Sequence, residues 1–343
     1  MASSHAYCTY FDSGYLSRGL ALIDSLRSHG DDSPVWVLAL DSATRAYLDG
    51  AQIPNVFTLE ISDIEAAEPE LFPLKSSRSR MEYYFTSTPL LMRWVLNRYS
   101  EPSETVVVYL DSDLYFFDDP HLVLRALGAG SVGIIEHRYP ARLEKRLSKY
   151  GRFNVGWVGI RGDENGRACL DWWAASTVEW CFDIPDGSRY ADQGYLDSFP
   201  GRFGGVVILR PAGFNLAPWN TGRHSLTLTP MFGVVVDGTA PLVFFHFHGL
   251  RRVGLWYVTS QLIYGARLGP VLRNAVYAPY LKRLEAATVH VESALGTKPT
   301  ANKRGSGLRG IVSRVRKSAI DRLTIATGNA ISLKALSKDR SVG

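Results

Sequence analysis

Two aspartates one residue apart, Asp111 and Asp113, close an apolar run, Val106-Val107-Val108-Tyr109-Leu110. Such a run reads as a buried strand, and in an α/β sheet the carboxyl ends of the strands are where ligands bind. Carboxylates there cannot both be buried bare, because an unpaired buried charge costs too much. Arginine, lysine, backbone donors or a divalent cation must answer them. Oxygen ligands beside a diphosphate suit Mg2+ or Mn2+, so the pair is a candidate clamp for a metal on a phosphorylated substrate. On the dipeptide pattern alone, a helix-capping or turn pair of aspartates is the simpler account.

A second apolar strand, Leu242-Val243-Phe244-Phe245, runs into His246-Phe247-His248-Gly249. Its two histidines alternate and therefore face opposite sides; one can point at a site while the other packs. Arg251 and Arg252 follow at once, suited to phosphate oxygens. Asn154 and Gly156 stand at the polar start of a strand-like stretch, Arg152 to Ile160, where glycine allows a ligand close to the backbone; a bulged strand is the plainer reading. Asp192 opens a short helix and is explicable as a cap, whereas Gln193 beside it is not. Lys75, Arg78 and Arg80 lie in a basic, serine-rich stretch ending at Met81. That stretch is either a mobile surface loop or one that grips a nucleotide beside the central strand. The irregular segment Phe214 to Asn220 carries aromatics and hydrogen-bonding groups that could line a sugar pocket.

The elements that must hold these residues alternate. Ala6 to Phe11 is a strand, Asp12-Ser13-Gly14 a turn, and Leu16, Leu20, Ile23 and Leu26 mark a helix stopped by Gly30. Val35 to Leu40 is a second strand, Asp41 and Ser42 begin a second helix, and Val56 to Ile61 is a third strand. That rhythm predicts a mostly parallel, doubly wound sheet flanked by helices. Further on, the pattern predicts a helix from Pro89 to Tyr99, a strand at Val132–Ile135, and a charged lid from Glu136 through Lys149. An aromatic core helix from Leu170 to Phe182 and a strand at Val206–Leu209 complete the series.

With 343 residues, 46% of them hydrophobic and 12% aromatic, the chain can bury a large core in one large or two ordinary domains. Cys8, Cys169 and Cys181 are too scattered for a metal-ligand pattern or a disulfide framework, which suggests a reducing compartment. No basic region with an apolar run follows Met1, so no signal peptide is expected, and no apolar stretch reaches the about 18 residues of a membrane span. The formal charge of +5 is unevenly placed: from Lys298 onward eleven Lys or Arg face only Asp321 and Asp339, a surplus of nine that leaves the body near −4. The sequence therefore divides into a domain over 1–295, a linker over 296–307 rich in Gly, Lys and Thr, and a basic helical tail over 308–343. In the tail Leu308, Ile311, Val312, Val315, Ala319 and Leu323 recur at helical spacing among basic residues. Such a helix suits an anionic membrane surface; docking on the body or remaining solvated are the alternatives. A cytoplasmic protein, peripheral at the inner face of the membrane, with no nucleic-acid partner, is the resulting expectation.

Taken in order, the motifs resemble the retaining glycosyltransferases of family 8, the glycogenin and bacterial lipopolysaccharide galactosyltransferase type, over roughly the first 260 residues. They also resemble bacterial glycosyltransferase-like proteins of surface-polysaccharide loci, through Glu136-His137-Arg138-Tyr139 and Ala217-Pro218-Trp219-Asn220. The resemblance implies a GT-A fold with a Rossmann-like core, a nucleotide-diphospho-sugar donor (a UDP-sugar), and a glycan or lipid-linked acceptor. Tyr109-Leu110-Asp111-Ser112-Asp113 looks like that family's metal-binding Asp-x-Asp, Phe153-Asn154-Val155-Gly156 its Asn-x-Gly strand, and Asp192-Gln193 its Asp-Gln pair. His246-Phe247-His248-Gly249 looks like its His-x-x-Gly. By carry-over, Asp111, Asp113 and His246 would hold Mn2+ or Mg2+, and Asn154, Asp192 and Gln193 would surround the transferred sugar. Thr9, Tyr10, Asp12, Tyr15, Arg78, Arg80, Ser112, Gly249 and Arg251 would serve the nucleotide. Two positions depart from the pattern. The family's lysine after His-x-x-Gly is missing, with Arg251 or Arg252 as substitutes, and Gly194 stands where an acidic residue is common. Other classes compete. A haloacid-dehalogenase-type phosphatase also sets Asp-x-Asp after a strand, but wants Thr or Val where Tyr115 stands. A nucleotidylyltransferase would need a glycine-rich basic loop after the first strand. A sugar-nucleotide-binding protein without turnover needs nothing more than the fold.

Overall fold

The computed structural model describes residues 5–296 and 308–338. Its first eight strands in chain order are β1 (His5–Phe11), β2 (Val35–Ala39), β3 (Val56–Glu60), β4 (Val106–Leu110), β5 (Leu114–Phe116), β6 (Val132–Glu136), β7 (Phe153–Arg161) and β8 (Val206–Ile208). All but β5 form one sheet in the order β3-β2-β1-β4-β7-β6-β8. The pairings β1–β2, β2–β3, β1–β4 and β6–β8 are parallel, whereas β7 runs against both neighbours. The expected α/β class, a mostly parallel sheet between helices, is the one observed.

The reversal of β7 matters for function. Its first residues, Asn154 to Gly156, lie at the edge where β1 and β4 end, and the Asp111 N–H donates to the Gly156 carbonyl at 3.0 Å. Its register against β6 slips between Gly133 and Ile135, so the bulge read from the sequence coexists with the close approach at Gly156.

The main helices are α1 (Leu16–Ser28), α2 (Ser42–Ala51), α3 (Ile61–Ala67), α4 (Arg80–Leu96), α5 (His121–Leu127), α6 (Leu147–Tyr150) and α7 (Glu164–Glu179). One face of the sheet packs with α4 and α7, through residues such as Leu90, Leu91, Val95, Leu170 and Trp173. The other packs with α1 and the helix Ala278–Leu295, through Leu22, Leu26 and Val291. Both layers follow from strands whose side chains are apolar on alternate sides. Helix α4 begins nine residues before the expected Pro89. Ser79 accepts from the Glu82 N–H and the Glu82 carboxylate returns to the Ser79 N–H at 2.8 Å, a capping box that fixes the start. Pro89 is carried inside the helix. Asp163 likewise caps α7, accepting from the Gly166 N–H at 2.8 Å, and the helix starts at Glu164, six residues before the expected Leu170.

Beyond the main sheet, the strand Phe244–His246 pairs antiparallel with β5, setting His246 opposite Leu114. The segment expected as a basic tail forms the helix Leu308–Ala326, then a strand Ala330–Ser332 that pairs with Trp256–Val258. The Arg251 guanidinium pairs with Asp321, and Arg273 donates to the Ala330 carbonyl at 2.9 Å, so this part of the tail rests on the body. Apart from Gly296, the linker falls outside the described residues, as do the side chains of Leu308, Ile311, Val312 and Val315. No described helix is long and apolar enough to cross a membrane.

Candidate metal centre and sugar site

Strand β4 delivers Asp111 and the turn into β5 delivers Asp113; β5 then hydrogen-bonds the strand that ends in His246. His246 Nε2 lies 3.0 Å from Asp113 Oδ1 and 3.6 Å from Asp111 Oδ2, and one ligand atom from each of the three lies within 4.8 Å of the others. Among the described residues no backbone N–H donates to either carboxylate, and the Tyr109 O–H donates to Asp111 Oδ1 at 3.0 Å. The pair does sit in a turn, with the Leu114 N–H donating to the Asp111 carbonyl at 3.1 Å, but neither carboxylate takes part in it, so turn or cap bonding does not account for the two charges. Two hard oxygens and one imidazole suit Mn2+ and accept Mg2+. His246 Nδ1 is buried without a partner, so its ring is held by packing rather than by the carboxylate or carbonyl that commonly backs a metal-bound histidine. Trp219 meets it edge-on at 5.0 Å.

Burial pushes the Asp113 carboxyl up, but His246, His248 and Arg18 overcome it and hold the group down at about 2. Burial dominates at Asp111, which is raised, with Asp113 adding to the rise and His246 opposing it. On His246 the two aspartates outweigh burial and raise the imidazole. The centre therefore carries concentrated negative charge next to one imidazole, which a divalent cation would relieve.

Asn154, Gln193 and Asp192 face this centre across a cavity of about 340 Å³. The Asn154 amide donates to Gln193 Oε1 at 3.0 Å, and its oxygen accepts from the Gly156 N–H and from Asn215. Gln193 Nε2 donates to the Tyr150 carbonyl at 2.7 Å. Gln193 is thus a strut holding Asn154 and α6. Asp192 precedes the 3-10 turn Gln193–Ser198 and makes no capping bond, so the cap explanation does not hold. Its approach is strained: Ala191 sits at φ 46°, a conformation that a non-glycine residue adopts at a cost. Gly194 is explained by space, since a Cβ there would lie 2.8 Å from the Ser188 carbonyl. Burial raises the Asp192 carboxyl to about 7; Thr88 opposes the rise and Asp111 adds to it. Burial likewise lowers His137 on the cavity wall to about 3, leaving it neutral.

The nucleotide expectations divide. Tyr10 lines the cavity. Asp12 accepts from the Gly14 N–H at 3.0 Å, with Arg80 4.0 Å away, and Tyr15 is 46% exposed beside them. Thr9 is buried within β1 with its hydroxyl unpaired, Ser112 is buried, and Gly249 turns at φ 70°. Arg78 and Arg251 are engaged elsewhere. Arg78 is buried and donates to Thr86, to the Thr177 carbonyl at 2.7 Å and to the Val178 carbonyl, tying α4 to α7. Arg251 is held by Asp321, and Arg252 by Glu285 at 3.2 Å. Arg78→Met is expected to destabilise the fold by about 1–3 kcal/mol in urea unfolding, from buried carbonyls left unpaired, with no selective loss of nucleotide affinity.

Sequence reading missed Arg18, which donates to the Leu250 carbonyl at 2.9 Å with its guanidinium 4.4 Å from the Tyr15 ring centre. The three-residue helical spacing from Tyr15 was the available signal. Trp219, from the loop expected to line a sugar pocket, does line the cavity. Gly156 has a stringent role: a Cβ there would lie 2.6 Å from Asn154 Oδ1 and 2.8 Å from His246 Nδ1. Gly156→Ala is expected to cost about 1–3 kcal/mol of stability through overpacking and to weaken Mn2+ binding, both readable by denaturation and calorimetric titration. Another His/Asp grouping, His5, Asp31 and His121, sits at the other end of the sheet. Its Asp31 is already satisfied by the Tyr7 O–H at 2.6 Å and the Ser33 N–H at 3.0 Å.

No family model matches the chain. YfnD of Bacillus subtilis (strain 168), an uncharacterized protein, is 26% identical over 300 residues, 85% of this chain and 92% of its own length. The galactosyltransferase LgtC, solved with donor and acceptor sugar analogues, aligns with 82% of this chain and 95% of its own at 17% identity and a TM-score of 0.48. The uncharacterized protein YfnF of Bacillus subtilis (strain 168) is 32% identical over 258 residues, 73% of this chain and 83% of its own length. The chain belongs to the family of YfnF.

Proposed function

We propose that the protein is a metal-dependent glycosyltransferase of the GT-A type. It moves a sugar from a nucleotide-diphospho-sugar, a UDP-sugar, to a glycan or lipid-linked acceptor in surface-polysaccharide synthesis, with retention at the anomeric carbon. The observation that carries this reading is the convergence, on one cavity, of the Asp111–Asp113–His246 cluster with Asp192 and Asn154. A divalent cation bound by the cluster supplies charge neutralisation of the leaving diphosphate.

The chain's own residues do the rest. Tyr10, packed 5.5 Å from the Tyr109 ring, walls the donor end. Arg18 brings a cation to the lip of the metal cluster, in place of the lysine that the motif lacks, and its charge favours the departing diphosphate. Asn154, fixed by Gln193 and Asn215, keeps one amide hydrogen for a sugar hydroxyl. Asp192 is the carboxylate for a double displacement: its oxygen bonds to the anomeric carbon as the bond to the diphosphate breaks. The acceptor hydroxyl then attacks from the face the diphosphate left; its oxygen bonds to the anomeric carbon as the bond to Asp192 breaks, and its proton passes to an oxygen of the departed diphosphate. Gln193 has its oxygen committed to Asn154 and to the Val155 N–H, which supports Asp192 over Gln193 as the attacking group.

The test is turnover of a panel of sugar nucleotides with Mn2+, with and without glycan acceptors. Metal-dependent release of nucleoside diphosphate is the expected result. Tight donor binding with no turnover of any donor would instead make this a binding protein that kept the fold. Peripheral attachment to an anionic membrane through the basic segment is part of the same reading. Because Ala330–Ser332 completes a sheet on the body, truncation is a poor probe. Replacing Lys303, Arg304 and Arg309 with glutamine should reduce flotation with phosphatidylglycerol vesicles; unchanged flotation sinks the attachment.

A further inference from the structure

The cavity changes character away from the metal cluster. Tyr139, Tyr150, Tyr190, Tyr264 and Trp219 present rings to it, and among its lining residues Arg146 is the one with a fixed positive charge. The Arg146 guanidinium stands 4.9 Å from the Tyr264 ring centre and 6.0 Å from that of Tyr150. Among the described residues it has no carboxylate or carbonyl partner. Its neighbour Arg142, in contrast, donates to the Tyr264 and Gly265 carbonyls, at 3.0 Å each. Trp219 adds ring surface to the same wall. A wall of rings with one cation that no carboxylate or carbonyl answers suits a sugar face that carries anionic oxygens.

Arg146 is not among the residues of the metal cluster. Its guanidinium stands against Tyr264, whose ring lies 6.3 Å from that of His248, which in turn lies 5.9 Å from that of His246. On its other side Arg146 belongs with Tyr150, whose carbonyl holds Gln193. We propose that this end of the cavity binds the acceptor, and that the acceptor is a sugar bearing a carboxylate or phosphate that pairs with Arg146. The assignment rests on the transferase reading for the word acceptor, but not for the charge preference. Guanidinium meets either anion through two parallel hydrogen bonds, and the aromatic walls hold the ring so that one hydroxyl can face Asp192.

The experiment is binding without transfer: calorimetric titration of the full chain, with Mn2+ and UDP present, by methyl β-glucuronide, methyl β-glucoside 6-phosphate and neutral methyl β-glucoside. One or both charged probes are expected to bind roughly tenfold tighter than the neutral one, the scale of a charged hydrogen-bonded pair at a half-exposed site. The stronger of the two identifies the anion. Arg146→Met should erase the preference and Arg146→Lys restore part of it, which separates lost charge from lost packing. Equal binding of all three probes overturns the inference, as does a preference that survives in Arg146→Met. A loss of UDP affinity in Arg146→Met as large as the loss for the charged probes also overturns it, by placing the residue at the donor. A charge preference in a protein that turns over no donor leaves this site standing and sinks the transferase instead.

Discussion

Asp113→Ala is expected to lower Mn2+-dependent turnover of the sugar nucleotide by about a thousandfold, ~4 kcal/mol of transition-state stabilisation, in a protein that stays folded. Asp113 is the carboxylate that the surroundings keep charged: burial opposes ionisation, but His246, His248 and Arg18 hold the group down at about 2. It is also the shorter of the two contacts to His246. Its removal leaves one carboxylate and one imidazole, too few fixed ligands for a hard cation with a charged substrate. A second readout does not depend on catalysis. A metal that binds only the folded state stabilises it by RT ln(1 + [L]/Kd), about 2.7 kcal/mol when the free metal is a hundred times Kd. Wild type should therefore melt higher with Mn2+, and Asp113→Ala should show no such rise. Full turnover in the variant would place the metal elsewhere or dispense with it.

The cluster was legible because the strand before it is apolar throughout: Val106 to Leu110 are at most 2% exposed, and charge at the end of such a strand needs a reason. His246 was legible on the same logic, although its pairing with β5 was not. The antiparallel course of β7 left no trace in the βαβ rhythm, yet it is what places Asn154 and Gly156 beside Asp111. Long-range engagement of cations was illegible for a related reason. Arg251 was reserved for phosphate because it follows the histidine motif, but Asp321 seventy residues later takes it. Arg78 stood in a basic stretch that read as a loop, while its partners Thr177 and Val178 belong to a helix about a hundred residues on. Arg18 and Arg146 had no motif to mark them; Arg18 bonds the Leu250 carbonyl, and Arg146 stands in a cavity wall assembled from distant segments. Local signals also misplaced boundaries. The expected helix from Pro89 to Tyr99 begins too late, because the Ser79–Glu82 box has already started it and Pro89 lies inside.

Asp192→Asn should give a protein that is more stable than wild type at pH 8 yet at least about a hundredfold slower. The carboxyl is raised to about 7, chiefly by burial, with Asp111 adding to the rise. Between its ordinary unfolded value near 3.8 and about 7, the folded state keeps a proton that the unfolded chain has released. Stability from this group is therefore present at low pH, falls as the pH rises through that window, and is lost above about 7. Asparagine is isosteric and cannot ionise, so the substitution should gain about 1–3 kcal/mol at pH 8, a discount on the full linkage, with the gain vanishing toward pH 4. Turnover should move oppositely. If the ionised carboxylate attacks the anomeric carbon, wild-type kcat/KM rises with pH along a single-proton limb, and the limb disappears in Asp192→Asn. A metal on Asp111 removes part of the repulsion that raises Asp192, so the limb in the metal-loaded enzyme should lie below that of stability in the metal-free protein. A strained, costly carboxylate that the fold would be better without is what a reacting group looks like. An Asp192→Asn variant that is less stable than wild type at pH 8 would instead mark Asp192 as a structural charge, and the attacking group would have to be sought elsewhere.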